Sequence, residues 1–290
     1  MEIAVISGKG GTGKSSISAA LATLNEKVIL ADCDVDAANL FLIFDPTHDE
    51  ERVYIAGETA VIDYDKCTNC GICYDHCRFD AIFYNKEDKV EILETSCDGC
   101  RLCATVCPEK AITMVPNDKS RWYFGDFRNG KMLYGRLYPG EENSGLLVAE
   151  IRKKAKQMAE EEKISTTIID GPPGIGCAVI ASITGVDQAI VVTEPSMSAL
   201  SDLKRTIELL EHFKLKSWVL INKFDLNLKL TKDIEEFCSK NNIDVLDKIA
   251  FNKDIVDAMV NKQSIIEYAP NSEISKQISE IYSTIKNYAK

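Results

Sequence analysis

The stretch that most limits what this chain can become lies at its start. "EIAVIS", a short apolar run rich in β-formers, feeds directly into "GKGGTGKS", residues 8–15, and then into "SSISAALATLNE", which has helical spacing. The eight residues satisfy G-x-x-x-x-G-K-[ST]. Glycines at Gly8, Gly10, Gly11 and Gly13 let backbone N–H groups turn inward around phosphate oxygens, and the helix that follows aims its positive end at the same place. Thr12, Ser15 and Ser16 complete the cradle. Lys14 is expected to reach the β- and γ-phosphates and the Ser15 hydroxyl to hold Mg²⁺. A chance glycine-rich turn would not need a strand before it and a helix after it, and both are here.

The rest of the chain repeats that alternation. "KVILAD", "STTIIDG", "DQAIVVTEP", "SWVLINK" and "IDVLDKIAF" read as buried strands, with amphipathic stretches such as "MSALSDLKRTIELLEHF" between them. Unalternating strands separated by helices predict an α/β fold, a parallel sheet covered by helices on both faces. The pattern stops between Ala60 and Asn117, where cysteines, turns and short hairpin pieces take over. The expected organisation is a nucleotide-binding domain in two parts, 1–59 and 118–290, with a small α+β domain at 60–117 inserted in one of its loops. Past the insert, aromatic β-formers flank Asn129-Gly130, a hairpin signal. Near the C-terminus Ile274, Ile278, Ile281 and Ile285 share one helical face, a packing helix rather than a membrane-surface one because its polar face is not strongly basic.

Charge and cysteine usage narrow the function classes. A net charge of −11 argues against nucleic acid and against anionic lipid as partners, and no apolar run approaches a membrane span. The N-terminus lacks the basic start and long apolar core of a signal peptide, so the expected compartment is cytoplasmic. Eleven cysteines in a reducing compartment point to metal or redox chemistry. Eight of them form two cassettes, "CTNCGICYDHC" and "CDGCRLCATVCP", each C-x₂-C-x₂-C-x₃-C. In this doubled spacing three thiolates of one cassette and the last of the other hold one [4Fe-4S] cluster. Cys67, Cys70, Cys73 and Cys107 are expected on the first cluster, and Cys97, Cys100, Cys103 and Cys77 on the second. Zinc is the plainer alternative. The insert resembles a bacterial two-[4Fe-4S] ferredoxin over its full length, although only the second cassette carries the following proline, Pro108, where the first has Arg78. Such an insert is expected to act as a short electron wire. His76 reads as a surface residue, and Tyr74 and Phe83 as core shielding a cluster.

The second lysine of the phosphate loop, Lys9, sharpens the assignment. "GKGGTGKSS" resembles the deviant loop of the MinD/ParA family, which includes the nitrogenase iron protein and the Mrp-type cluster carriers. The resemblance covers the chain apart from the insert and implies an ATPase that dimerises on binding ATP, with Lys9 reaching the partner's nucleotide. "ILADCDVDAANL" looks like the family's first switch, placing Asp34 at Mg²⁺ and the attacking water, with Asp36 a weaker candidate. "TTIIDGPPG" looks like its second, with Asp170 near Mg²⁺, Gly174 offering its N–H to the γ-phosphate and a Pro-Pro pair closest to the Mrp-like branch. Independently of any family, a strand ending in Asp beside a phosphate loop puts a carboxylate at the edge of the sheet where α/β ligands bind, and Mg²⁺ favours such oxygens. For Asp34 a helix N-cap is the plain alternative. Base choice stays open: the resemblance puts Asn222 against adenine, whereas Asn222-Lys223-Phe224-Asp225 also spells the N-K-x-D pattern used for guanine.

Three functions survive. One is an ATP-switched factor in the maturation of metallocluster proteins, acting on a client metalloprotein. Another is an ATP-gated electron donor resembling the nitrogenase iron protein. The third is a MinD/ParA-like positioning or adaptor ATPase with structural clusters. Cys177 follows Asp170 at the seven-residue spacing of the nitrogenase iron protein's cluster cysteine. It reads either as a metal or cluster ligand at a dimer interface or as a small buried hydrophobe at a helix start. Cys33 and Cys238 read as core.

Overall fold

Strands buried on both faces have no polar side to show to water, and six of them fill the centre of one large sheet. The computed structural model describes residues 1–141 and 143–288. The chain runs β1 (Glu2–Ser7), α1 (Lys14–Thr23), β2 (Val28–Asp32), α2 (Leu40–Phe44) and β3 (Glu50–Tyr54) before the cysteine-rich segment. That segment holds β4 (Glu58–Ile62), α3 (Ile72–His76), β5 (Ile82–Tyr84), β6 (Val90–Ile92), α4 (Leu102–Val106) and β7 (Ile112–Pro116). Then follow β8 (Ser120–Phe127), β9 (Gly130–Arg136), α5 (Ser144–Glu161), β10 (Thr167–Pro173), α6 (Cys177–Ile183), β11 (Gln188–Thr193), α7 (Met197–His212) and β12 (Lys216–Asn222). The chain ends with α8 (Leu228–Lys240), β13 (Asp244–Ile249), α9 (Lys253–Val260), α10 (Ile265–Tyr268) and α11 (Glu273–Tyr288).

The large sheet has nine strands in the order β13-β12-β11-β1-β10-β2-β9-β8-β3. From β13 to β9 every neighbouring pair is parallel. Alternate residues of these strands serve opposite faces. Ile3, Val5, Leu30, Ile168, Ile190 and Leu220 join one core with α1 and with Ile274, Ile278, Ile281 and Ile285 of α11, as the isoleucine stripe predicts. Their neighbours Ala4, Ile6, Ile29, Ile169 and Val191 are equally buried, and α5 and α6 pack against β10, β1 and β2. The hairpin expected at Asn129-Gly130 is present, with residues 128 and 129 linking β8 to β9. Gly130 has φ 141°, and a side chain there would collide with the Val28 carbonyl, so glycine is required for β9 to lie beside β2.

The chain divides into two compact units, residues 1–51, 122–136 and 144–290 in the larger and 52–121 and 137–143 in the smaller. The expected boundary at 59/60 falls inside β4, which pairs antiparallel with β7 from Glu58↔Pro116 to Ile62↔Ile112. The two strands pair along their whole length, so the smaller unit takes all of both. It also contains the antiparallel pair β5–β6 and a small core of Ala60, Ile62, Cys73, Ile82, Val90 and Ile112. Among the described residues no helix is long and apolar enough to cross a membrane.

Candidate nucleotide site and cysteine quartets

The phosphate loop spans the carboxyl end of β1 and the first turn of α1. Gly13 sits at φ 91° directly under the Asn222 amide, and any side chain on it would collide with Asn222 Nδ2. The loop opens onto a cleft of about 620 Å³ lined by residues 10–16, Asp34, Asp36, Asn39, Pro172, Pro173, Cys177 and Met259. Thr12 Oγ1 lies in that wall, buried and without a hydrogen-bond partner, as an oxygen waiting for a ligand would.

Two carboxylates converge on the loop lysine. Lys14 Nζ lies 2.9 Å from Asp170 Oδ2 and 3.6 Å from Asp34 Oδ2. Asp170 Oδ2 also accepts from Ser15 Oγ at 2.8 Å, and its Oδ1 accepts from Ser18 Oγ at 2.6 Å. The structure thus brings together Lys14, Ser15, Asp34 and Asp170. Burial alone would lower the Lys14 pKa, but Asp170, Asp34 and Asp32 outweigh it and hold the ammonium above its ordinary value. Asp34 is pushed upward by burial and by Asp170, against the pull of Lys14. With one oxygen beside Ser15 and another beside Lys14, this pair of carboxylates has the hard-oxygen chemistry that Mg²⁺ prefers.

Asp32 was missed by the sequence reading. Fully buried at the end of β2, it accepts from the backbone N–H groups of Asp34, Asn39 and Leu40. Burial, and then the Asp170 charge, push its pKa up to about 7. It pins both ends of the turn that carries Asp34. The signal was available: of the aspartates in "ADCDVD" it is the one at the strand terminus. Ser18 and Asn39 were likewise unremarked, being ordinary helix and cap residues by type.

The other candidate residues make contacts of their own in the single chain. Gly174 donates its N–H to the Ser7 carbonyl at 2.9 Å, because β10, after slipping by one residue past Val5↔Asp170, pairs with β1 again at Ser7↔Pro173 and uses that donor in the ladder. Asn222 does not line the cleft; its Nδ2 donates to the Thr12 carbonyl at 2.8 Å and its Oδ1 accepts from Lys223 N, so it braces the loop from behind. Lys9 folds back within its own chain, 2.8 Å from Glu194 and within reach of Ser196 and Ser198. Lys223 meets the same Glu194 at 3.2 Å and donates to the Gly11 carbonyl. Burial would raise the Glu194 pKa, but these two lysines hold it below the ordinary range. Asp225 accepts from the Phe251 N–H, stabilising a turn. Asp36 is exposed at the cleft edge. Cys177, the first residue of α6, is exposed in the cleft wall and not a buried hydrophobe. Cys33 and Cys238 are buried, and burial pushes the Cys238 thiol up to about 11.

In the smaller unit two small apolar cavities separate the eight cassette cysteines into sets of four. One is lined by Cys67, Cys70, Cys73 and Cys107 with Ile62, Ile72, Val90 and Ile112. The other is lined by Cys97, Cys100, Cys103 and Cys77 with Ile82, Ile92, Leu102 and Met114. All eleven cysteines are free thiols. Among the described residues no group of three or more His, Cys, Asp or Glu is placed to hold a single metal ion; the quartets surround a space. Four thiols around an apolar space fit the donor set of an iron–sulfur cubane. The Ala111 N–H already donates to Cys107 Sγ at 3.3 Å. Tyr74 and Phe83, expected to shield a cluster, are exposed; the aliphatic residues just named line the cavities instead. His76 is exposed, its ring bonded to the Ile72 carbonyl.

A parallel sheet with a glycine loop at the carboxyl end of its central strand, and lysine, serine and two aspartates gathered there, defines a P-loop nucleotide-binding protein. The family follows from comparison: residues 3–265 match the CobQ/CobB/MinD/ParA nucleotide binding domain, and the chain belongs to that family. It is 35% identical to the uncharacterized protein MJ0578 of Methanocaldococcus jannaschii, over 99% of this chain and 97% of that one. It is 27% identical to the septum site-determining protein MinD of Bacillus subtilis, over 88% of this chain and 78% of that protein. Among solved structures, the cell division ATPase MinD of Pyrococcus furiosus superposes with a TM-score of 0.60 at 18% identity, covering 99% of this chain and 98% of that one, a likeness of fold.

Proposed function

We propose that this chain is a Mg²⁺-dependent ATPase whose nucleotide state governs what two [4Fe-4S] clusters, held on its smaller unit, deliver to a client metalloprotein, most simply in the maturation of that client. The observation that carries the reading is the sorting of eight cysteines into two quartets, each around its own apolar cavity. Cys67, Cys70, Cys73 and Cys107 would hold one cluster and Cys97, Cys100, Cys103 and Cys77 the other; such clusters supply one-electron storage. At the nucleotide, the loop's N–H groups and Lys14 bind phosphates, Ser15 and Asp170 hold Mg²⁺, and Asp34 faces the attacking water. Lys9, held by Glu194 in the single chain, would exchange that partner for the second subunit's nucleotide on dimerisation. ATP is the nucleotide favoured by family membership.

A second reading, a positioning or adaptor ATPase with structural clusters, draws support from the match to Bacillus subtilis MinD over most of the chain. One experiment separates them. Asp34→Ala protein, loaded with Mg·ATP and held anaerobically, should retain a metalloprotein client that wild type releases. Capture of a client without metal centres would favour the adaptor reading. In a competition assay, preference for GTP over ATP would overturn the base assignment.

A further inference from the structure

Asn39 stands at the N-cap position of α2, where an asparagine usually turns its side chain onto the helix's free N–H groups. Here it does not: its side chain makes no cap hydrogen bond. The capping is done from β2, because Asp32 Oδ2 accepts from both Asn39 N and Leu40 N at 3.1 Å. The Asn39 amide is therefore left over. It lines the nucleotide cleft together with Lys14, Ser15 and Asp34, and its Oδ1 is enclosed without any hydrogen-bond partner. A buried carbonyl oxygen left this way is destabilising, which marks it as waiting for a donor. Phosphate oxygens are acceptors and cannot satisfy it. A water can.

We propose that Asn39 positions the water that attacks the γ-phosphate, with Oδ1 accepting one of that water's hydrogens while Asp34 receives the other. This rests on the ATPase reading and adds a residue to it. In the step, the water oxygen bonds to the γ-phosphorus and the bond from phosphorus to the β,γ-bridging oxygen breaks. The nucleoside diphosphate leaves with that electron pair, and the water's proton passes to Asp34. Asn39 exchanges no proton; it fixes the angle of approach. Misplacing a reacting group by about 1 Å costs on the order of 100-fold in rate.

The test measures kcat, KM and ADP affinity for wild type, Lys14→Ala, Asn39→Ala and Asn39→Asp. Asn39→Ala keeps the backbone N–H that Asp32 holds, so the turn should survive and ADP affinity should stay within about threefold of wild type. Its kcat should fall 30- to 100-fold with KM nearly unchanged. Asn39→Asp restores an acceptor at the same atom and should recover at least a tenth of wild-type turnover. An Asn39→Ala kcat within twofold of wild type would overturn the inference while leaving the ATPase reading intact. So would an Asn39→Asp variant as slow as Asn39→Ala, or a matching loss of ADP affinity, which would reduce Asn39 to holding the turn. Wild-type protein with no turnover that Lys14→Ala abolishes would bring down the ATPase reading and this inference with it.

Discussion

Replacing Asp170 by Asn tests the electrostatic core of the site without changing its shape. The carboxylate is fully buried and takes hydrogen bonds from Lys14, Ser15 and Ser18. Asparagine keeps one acceptor for Ser18 but puts an NH₂ where Lys14 and Ser15 now donate. Removing one partner of a buried ion pair costs about 3–5 kcal/mol, because the other charge stays buried. Lys14 keeps Asp34 at 3.6 Å, so the lower end, about 3 kcal/mol, is expected. At roughly 2–4 °C per kcal/mol for a unit of this size, apo Tm should drop by about 6–12 °C. A double-mutant cycle with Lys14→Met isolates the pair and should give a coupling of about 2 kcal/mol. The same change should lower the Asp32 pKa, since the Asp170 charge is the second cause of its elevation after burial. Additive single effects, with a coupling below about 0.5 kcal/mol, would refute the view that Lys14 and Asp170 neutralise one another.

Other consequences follow from the same contacts. Lys14→Ala should abolish nucleotide binding in an equilibrium titration, whereas Lys9→Ala should bind nucleotide but fail to dimerise or hydrolyse it; wild-type hydrolysis by Lys9→Ala would remove it from the partner's site. Asp32 titrates at about 7 in the fold against 3.8 unfolded, so its contribution is fully present below about pH 3.8 and lost as pH rises through 7. The difference in apo stability between wild type and Asp32→Asn, measured by urea denaturation, should therefore shift in favour of the variant over that window. Gly130→Ala puts a Cβ onto the Val28 carbonyl at φ 141° and should cost about 2 kcal/mol or more, read as a lowered urea midpoint. On the proposed cluster assignment, Cys107→Ser and Cys77→Ser should each perturb one cluster whose other three ligands would lie in the opposite cassette, which selective loss of one spectroscopic signal would reveal.

The parts legible from sequence were those fixed by local pattern. The glycine loop between strand and helix, the unalternating strands of the parallel sheet and the isoleucine stripe of α11 all depend on spacing alone. The cysteine quartets were legible for a similar reason: cassette spacing determines which three thiols share a turn, and doubling determines where the fourth comes from. What escaped was set by register and by competition for hydrogen bonds. Gly174 N–H goes to Ser7 only because β10 slips by one residue against β1 past Asp170 and pairs with it again at Pro173, and Asn222 faces away from the cleft only because Gly13 lets it approach the loop. Asp32 and Asp34 are alike by type; that one caps a turn and the other faces the cleft depends on where β2 ends. Lys9 pairs with Glu194, a residue 185 positions away in the chain, which no local pattern reports.

The central claim is that nucleotide state and two cysteine-held clusters belong to one machine. Anaerobically prepared protein tests it when iron and acid-labile sulfide are counted and cluster reduction is followed with and without Mg·ATP. The account predicts about eight irons and eight sulfides per chain, and a reduction midpoint or chelation rate that changes on adding Mg·ATP to wild type but not to Lys14→Ala. Stoichiometric zinc in place of iron, or clusters indifferent to nucleotide, would contradict it.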